Sequence, residues 1–198
     1  LLTEGADFYA APTISPDGRR LAWIEWSRPH QPWTCTRLMV AERLAEGGFG
    51  ATRCLAGAEL EESIQQPRFD TENRLYCLTD RGGFWQPWGE TSDGLQRLPC
   101  AEADHAPAPW QLGGCTWLPV GDSFLASWTA GGFGRLALDG DDFTGDYSRF
   151  RHLALDQQLI YCIAASPISP SAVIAIDRSS REVNVLAGGI APLPAERI

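Results

Sequence analysis

Apolar positions along this chain come in short runs of about four to eight residues, broken by Gly, Pro, Asp or Ser. Runs such as Leu21-Ala-Trp-Ile-Glu-Trp26, Leu159-Ile-Tyr-Cys-Ile-Ala164 and Ala172-Val-Ile-Ala-Ile-Asp177 are rich in β-branched and aromatic residues. The period of an amphipathic helix is almost absent. The pattern predicts strands joined by tight turns, an all-β protein. Its sharpest instance is Ala11 to Trp23, where Ser15-Pro16-Asp17-Gly18 separates a short strand from an aromatic-rich one. Pro presets the first backbone angle of such a turn, and Gly accepts the positive angle that follows.

The arrangement repeats. Pro12 precedes Ile14, a turn and the run at 21–26. Pro67 precedes Phe69, the turn Asp70-Thr71-Glu72-Asn73 and Arg74-Leu-Tyr-Cys-Leu-Thr-Asp80. Pro109 precedes Trp110, Gly113-Gly114 and Trp117. These starts are roughly 40–55 residues apart, the length of a four-stranded propeller blade. In the first unit the strands fall at 9–15, 20–27, 36–44 and 49–55. The whole chain divides into about four blades of mostly four antiparallel strands, at 1–57, 58–100, 101–155 and 156–198, a partial β-propeller. Only three strands are clear in the last unit. Pro87 removes a ladder donor, which predicts an edge or a break in its strand.

Composition narrows the picture. With 44% hydrophobic residues and eight Trp, the chain has ample material for a core. The net charge is −9, all 16 basic residues are Arg, and they are scattered, so nucleic acid is excluded as a partner. The six cysteines, at 35, 54, 77, 100, 115 and 162, form no Cys-x-x-Cys pair. They read as reduced, small apolar residues, which fits a cytoplasmic protein. No apolar run approaches the ~20 residues of a membrane helix. The chain opens on Leu1 and its only Met is Met39, so it is expected to be part of a longer protein.

Ser15-Pro-Asp-Gly18 with the strands around it resembles the blade signature of the prolyl oligopeptidase family, serine peptidases in which a propeller caps an α/β-hydrolase domain. Asp7-Phe8-Tyr9, Pro32-Trp33, Glu62-Ser-Ile-Gln-Gln-Pro67, Asp80-Arg-Gly-Gly-Phe-Trp85 and Ala101-Glu-Ala-Asp104 resemble its acylaminoacyl-peptidase and dipeptidyl-aminopeptidase-like members. The family's Gly-x-Ser-x-Gly nucleophile elbow is missing. Its nearest counterpart, Gly121-Asp-Ser-Phe-Leu125, lacks the second Gly and lies between strands, so no catalytic residue is assigned, Ser123 included.

Other candidates divide by their surroundings. In dipeptidyl peptidases of the family, paired propeller glutamates hold the substrate's free amine, and the resemblance points to Glu61 and Glu62 as weak substrate-binding candidates. Glu59, Glu61 and Glu62 otherwise read as a solvated acidic connection between blades. His30 and His105 lie in loops and His152 in an outer strand, without ligand spacing. Asp139-Gly-Asp-Asp142 with Asp146 does not follow a calcium loop. The Trp set reads as packing between blades. No cofactor and no metal are expected.

The resemblance implies a non-catalytic propeller portion of a serine peptidase acting on short peptides. It would restrict access to a hydrolase domain lying outside this sequence, so the chain alone is expected to be inactive. The alternative is a stand-alone propeller-like scaffold that binds a protein or peptide. The implied partners are that hydrolase domain, a short peptide and, through exposed end blades, another copy of the chain.

Overall fold

The Ser15-Pro16-Asp17-Gly18 segment reverses the chain as expected. Gly18 takes a φ of +71°, and its N–H donates to the Ser15 carbonyl at 2.8 Å. The Asp17 carboxylate accepts the Ser15 hydroxyl and the Arg19 N–H. Strands β1 (Phe8–Ile14) and β2 (Arg20–Trp26) leave this turn as an antiparallel pair. The second repeat builds the same turn from different residues. Asp70 accepts the N–H groups of Glu72 and Arg74, and Asn73 stands in the glycine position at a φ of +66°. Asn reaches that left-handed region more readily than other residues with a side chain. The two turns meet where the Asp17 N–H donates to Asn73 Oδ1 at 3.0 Å.

A computed structural model describes residues 3–189, and these contain strands but no helix. The first sheet continues with β3 (Arg37–Glu42) and β4 (Arg53–Ala56). The second holds β5 (Ile64–Phe69), β6 (Leu75–Thr79), β7 (Gln86–Thr91) and β8 (Gly94–Arg97). The third holds β9 (Trp117–Val120), β10 (Ser123–Ala130), β11 (Phe133–Leu138) and β12 (Asp141–Asp142). The fourth holds β13 (Arg149–Leu155), β14 (Leu159–Ser166), β15 (Ser169–Asp177) and β16 (Val183–Gly188). Each sheet is a four-stranded meander in chain order. The fold is all-β, a partial propeller of four blades. One compact unit holds residues up to Gly114 with Pro119–Asp122, and a second holds Cys115–Leu118 and the residues from Ser123 on.

Two strand assignments differ from the sequence pattern. Residues 149–155, read as the end of the third repeat, pair with β14 and open the fourth sheet, which therefore has four strands. The alternation of Phe150, Leu153 and polar neighbours suits either sheet, so periodicity alone could not place it. Pro87 sits inside an unbroken interior strand, paired with Leu78. The N–H and C=O of an antiparallel residue face the same neighbour, and the Pro87 carbonyl accepts from Leu98, just past the end of β8. The missing donor falls beyond the ladder, and the β6 side stays whole.

In the first unit the core joins Ala22, Ile24, Leu38, Val40 and Ala56 of the first sheet to Ile64, Leu75 and Cys77 of the second. Leu75 and Leu78 are fully buried, each contributing about 2 kcal/mol by transfer from water. The first strands of three sheets share a kink. Register shifts in β1, β5 and β13 surround Ala11, Gln66 and His152, which take φ of 49°, 50° and 53°. His152 thus lies on the first strand of the fourth sheet. Pro12, Pro67 and Pro119 all fall on edge strands, where a lost N–H is tolerated, and Pro12 and Pro67 lie within the register shifts.

Candidate functional site

Of the two candidate glutamates, Glu62 is 1% exposed, and its position follows from what surrounds it. Arg81, in the β6–β7 connection, reaches back with Nη2 to Glu62 Oε1 at 2.6 Å and with Nε to Oε2 at 3.1 Å. The Thr79 hydroxyl donates to the same Oε2 at 2.5 Å, and the Arg81 guanidinium lies over the Trp88 ring at 5.2 Å. Bidentate, charge-assisted contacts of this kind satisfy a carboxylate removed from water. Glu62 is an internal lock of the second sheet.

Glu61, one residue earlier, is exposed. It lines a cavity of about 450 Å³ with Glu25, Glu59, Arg28, Arg37 and His30. The wall therefore carries three carboxylates and two guanidiniums around a polar space. The chain next to it is pinned between the first two sheets. Thr36 Oγ1 accepts the Ile64 N–H at 2.6 Å and lies 3.0 Å from the Ile64 carbonyl, while the Ser63 hydroxyl donates to the Pro32 carbonyl at 2.8 Å. Asp80 accepts the Ser63 N–H at 2.7 Å. Burial pushes the Asp80 carboxyl above its ordinary range; that hydrogen bond opposes the shift and neighbouring Glu62 adds to it.

The remaining candidates sort plainly. His105 is in a loop but buried, with Nδ1 3.0 Å from the Ala103 carbonyl, and burial lowers its pKa. His30 lies in a loop on the wall of the cavity with Glu61. Ser123 begins β10 directly after a hairpin at Gly121, with none of the strand-to-helix geometry of a nucleophile elbow. Asp139 and Gly140 form the β11–β12 hairpin at positive φ. Asp142 spends an oxygen on the Thr144 N–H, and Asp141 pairs with Arg181. Among the described residues no group of three His, Cys, Asp or Glu is placed to hold a metal, and none of the six cysteines is in a disulfide. Trp23 and Trp117 are buried; Trp110 is 71% exposed and lies against Trp33 with ring centroids 4.0 Å apart and planes tilted by 32°. No helix of the described residues is long and apolar enough to cross a membrane.

No protein-family model matches the chain, and no curated protein sequence matches it. Solved structures do. A puromycin-hydrolyzing peptidase from Mycobacterium tuberculosis superposes with a TM-score of 0.86 and 32% identity, over 98% of this chain and 30% of that one. A puromycin hydrolase gives 0.85 and 26%, over 98% and 31%. Prolyl oligopeptidase B from Galerina marginata shares the fold at a TM-score of 0.67 and 14% identity, over 94% and 27%. The present chain thus spans less than a third of the length of each. Four meander sheets in chain order and 32% identity along nearly the whole sequence make this chain similar to a β-propeller portion of puromycin-hydrolyzing peptidases, with a fold shared by prolyl oligopeptidases.

Proposed function

We propose that this chain is the non-catalytic propeller portion of a serine peptidase that acts on short peptides, and that it restricts access to a hydrolase domain. The observation that carries the reading is the match to puromycin-hydrolyzing peptidases over almost all of this chain and under a third of theirs. A propeller supplies a rigid steric filter and needs no reactive group of its own, which agrees with Ser123 sitting at a hairpin. Of the two glutamates, Glu61 is the exposed one, whereas both Glu62 oxygens are engaged by Arg81 and Thr79. This supports Glu61 over Glu62 as the carboxylate that would hold an amine.

The test is hydrolysis of aminoacyl and acylaminoacyl chromogenic substrates by the full-length protein and by this chain alone. An active full-length protein beside an inert chain is expected, with Ser123→Ala in the full-length protein leaving the rate unchanged. Activity in the isolated chain would overturn the assignment. An inert full-length protein would favour the binding-scaffold alternative.

A further inference from the structure

Between the first strands of the first two sheets lies another cavity, of about 230 Å³. Its walls combine the apolar Ile24, Trp26, Ile64 and Leu112 with the polar Gln65 and Gln111. Ala11 and Gln66 line it at their left-handed φ of 49° and 50°, each directly before a proline. Backbone held in this region by a residue with a side chain is strained, and such strain gathers where ligands are held.

The chemistry of the cavity is set by Arg68. It is the only charged residue on the wall, and among the described residues it forms no ion pair although the chain carries a net charge of −9. Its Nη2 donates to the Gly114 carbonyl at 3.4 Å. Its Nε is buried without an acceptor among these residues, an arrangement native interiors rarely leave unsatisfied. On the opposite side of Gln66, Gln65 Nε2 donates to the Pro107 carbonyl at 3.1 Å. The segment 107–114, whose Trp110 packs against Trp33, is thereby strapped to β5 at both ends.

We propose that this cavity binds a terminal residue that carries a free carboxylate and an apolar side chain, with Arg68 as the anion partner. A guanidinium offers a carboxylate two parallel donors, and the apolar side chains of the wall offer contact to the ligand's own side chain. The volume suits one residue rather than a chain. The assignment concerns binding alone and stands whether or not the protein hydrolyses peptides.

Saturation-transfer NMR on the full-length protein tests it, with N-acetyl-leucine, N-acetyl-leucinamide and N-acetylglycine as probes. The acid is expected to bind saturably in the millimolar range. The amide, which lacks the charge, should bind about tenfold more weakly, as one lost charge-assisted contact implies. N-acetylglycine should also be weaker. Arg68→Gln should bring the acid down to the level of the amide. Equal binding of acid and amide, no saturable binding of the acid, or unchanged acid binding by a folded Arg68→Gln protein would each overturn the proposal. If Arg68→Gln fails to fold, the comparison of acid with amide on the unaltered protein decides.

Discussion

Arg81 stands between a buried carboxylate and the cost of leaving it unpaired. Replacing it with Met keeps the stem over Trp88 but strands Glu62, so Arg81→Met should lower unfolding stability by about 3 kcal/mol. Urea unfolding followed by fluorescence would show it, and an unchanged midpoint would mean that Glu62 is not locked in solution. His105 gives a pH signature. Burial holds its folded pKa below the ordinary 6.5, so the folded chain resists a proton that the unfolded chain accepts. Its contribution is fully present above about 6.5 and is lost as pH falls below that value toward the folded one, by at most about 1.4 kcal/mol per unit. Thermal melts at neutral and mildly acidic pH should show a smaller acid loss in His105→Gln than in the parent, and equal losses would rule this out. At this scale the sequence was only partly legible. Glu61 and Glu62 are adjacent and chemically identical, and only the return of Arg81 across a hairpin separates them. Arg68 carries no signal in the sequence because its isolation from carboxylates is a fact of three dimensions.

At the scale of elements, the turns were the most legible parts. Ser15-Pro-Asp-Gly18 carries its conformation in its own side chains, and Asp70 to Asn73 reproduces it with substitutes of equivalent capacity. Assignment failed where a strand could serve either neighbour, as with Arg149–Leu155, and where the effect of Pro87 depended on which side of its strand the ladder ended. Gly134 gives a further test. A Cβ on it would lie 2.6 Å from the Ser148 carbonyl oxygen, while its N–H donates to that same oxygen at 2.7 Å. Gly in a strand often marks such an approach of two backbones. Gly134→Ala should therefore destabilise by about 2 kcal/mol, the cost of overpacking. A Tm equal to the parent's would show that β11 and the start of β13 can separate without penalty.

At the scale of the molecule, the fourth sheet ends on β16, which is exposed throughout, with Val185 and Leu186 at 55% and 56%. An apolar edge strand seeks another chain. Sedimentation velocity across a concentration series should show self-association of the isolated chain that Val185→Lys reduces, and a strictly monomeric parent would contradict this. The kink shared by Ala11, Gln66 and His152 bears on assembly in a different way. Sheets built to one plan offer one another's strands near-equivalent berths, the condition under which repeat proteins exchange segments and misassemble. Around the kink the three copies read Ala-Ala-Pro-Thr, Gln-Gln-Pro-Arg and Arg-His-Leu-Ala. The bend is common to all three and the side chains are not. Each first strand thus carries its own address, and divergence among the blades guards the order in which they close.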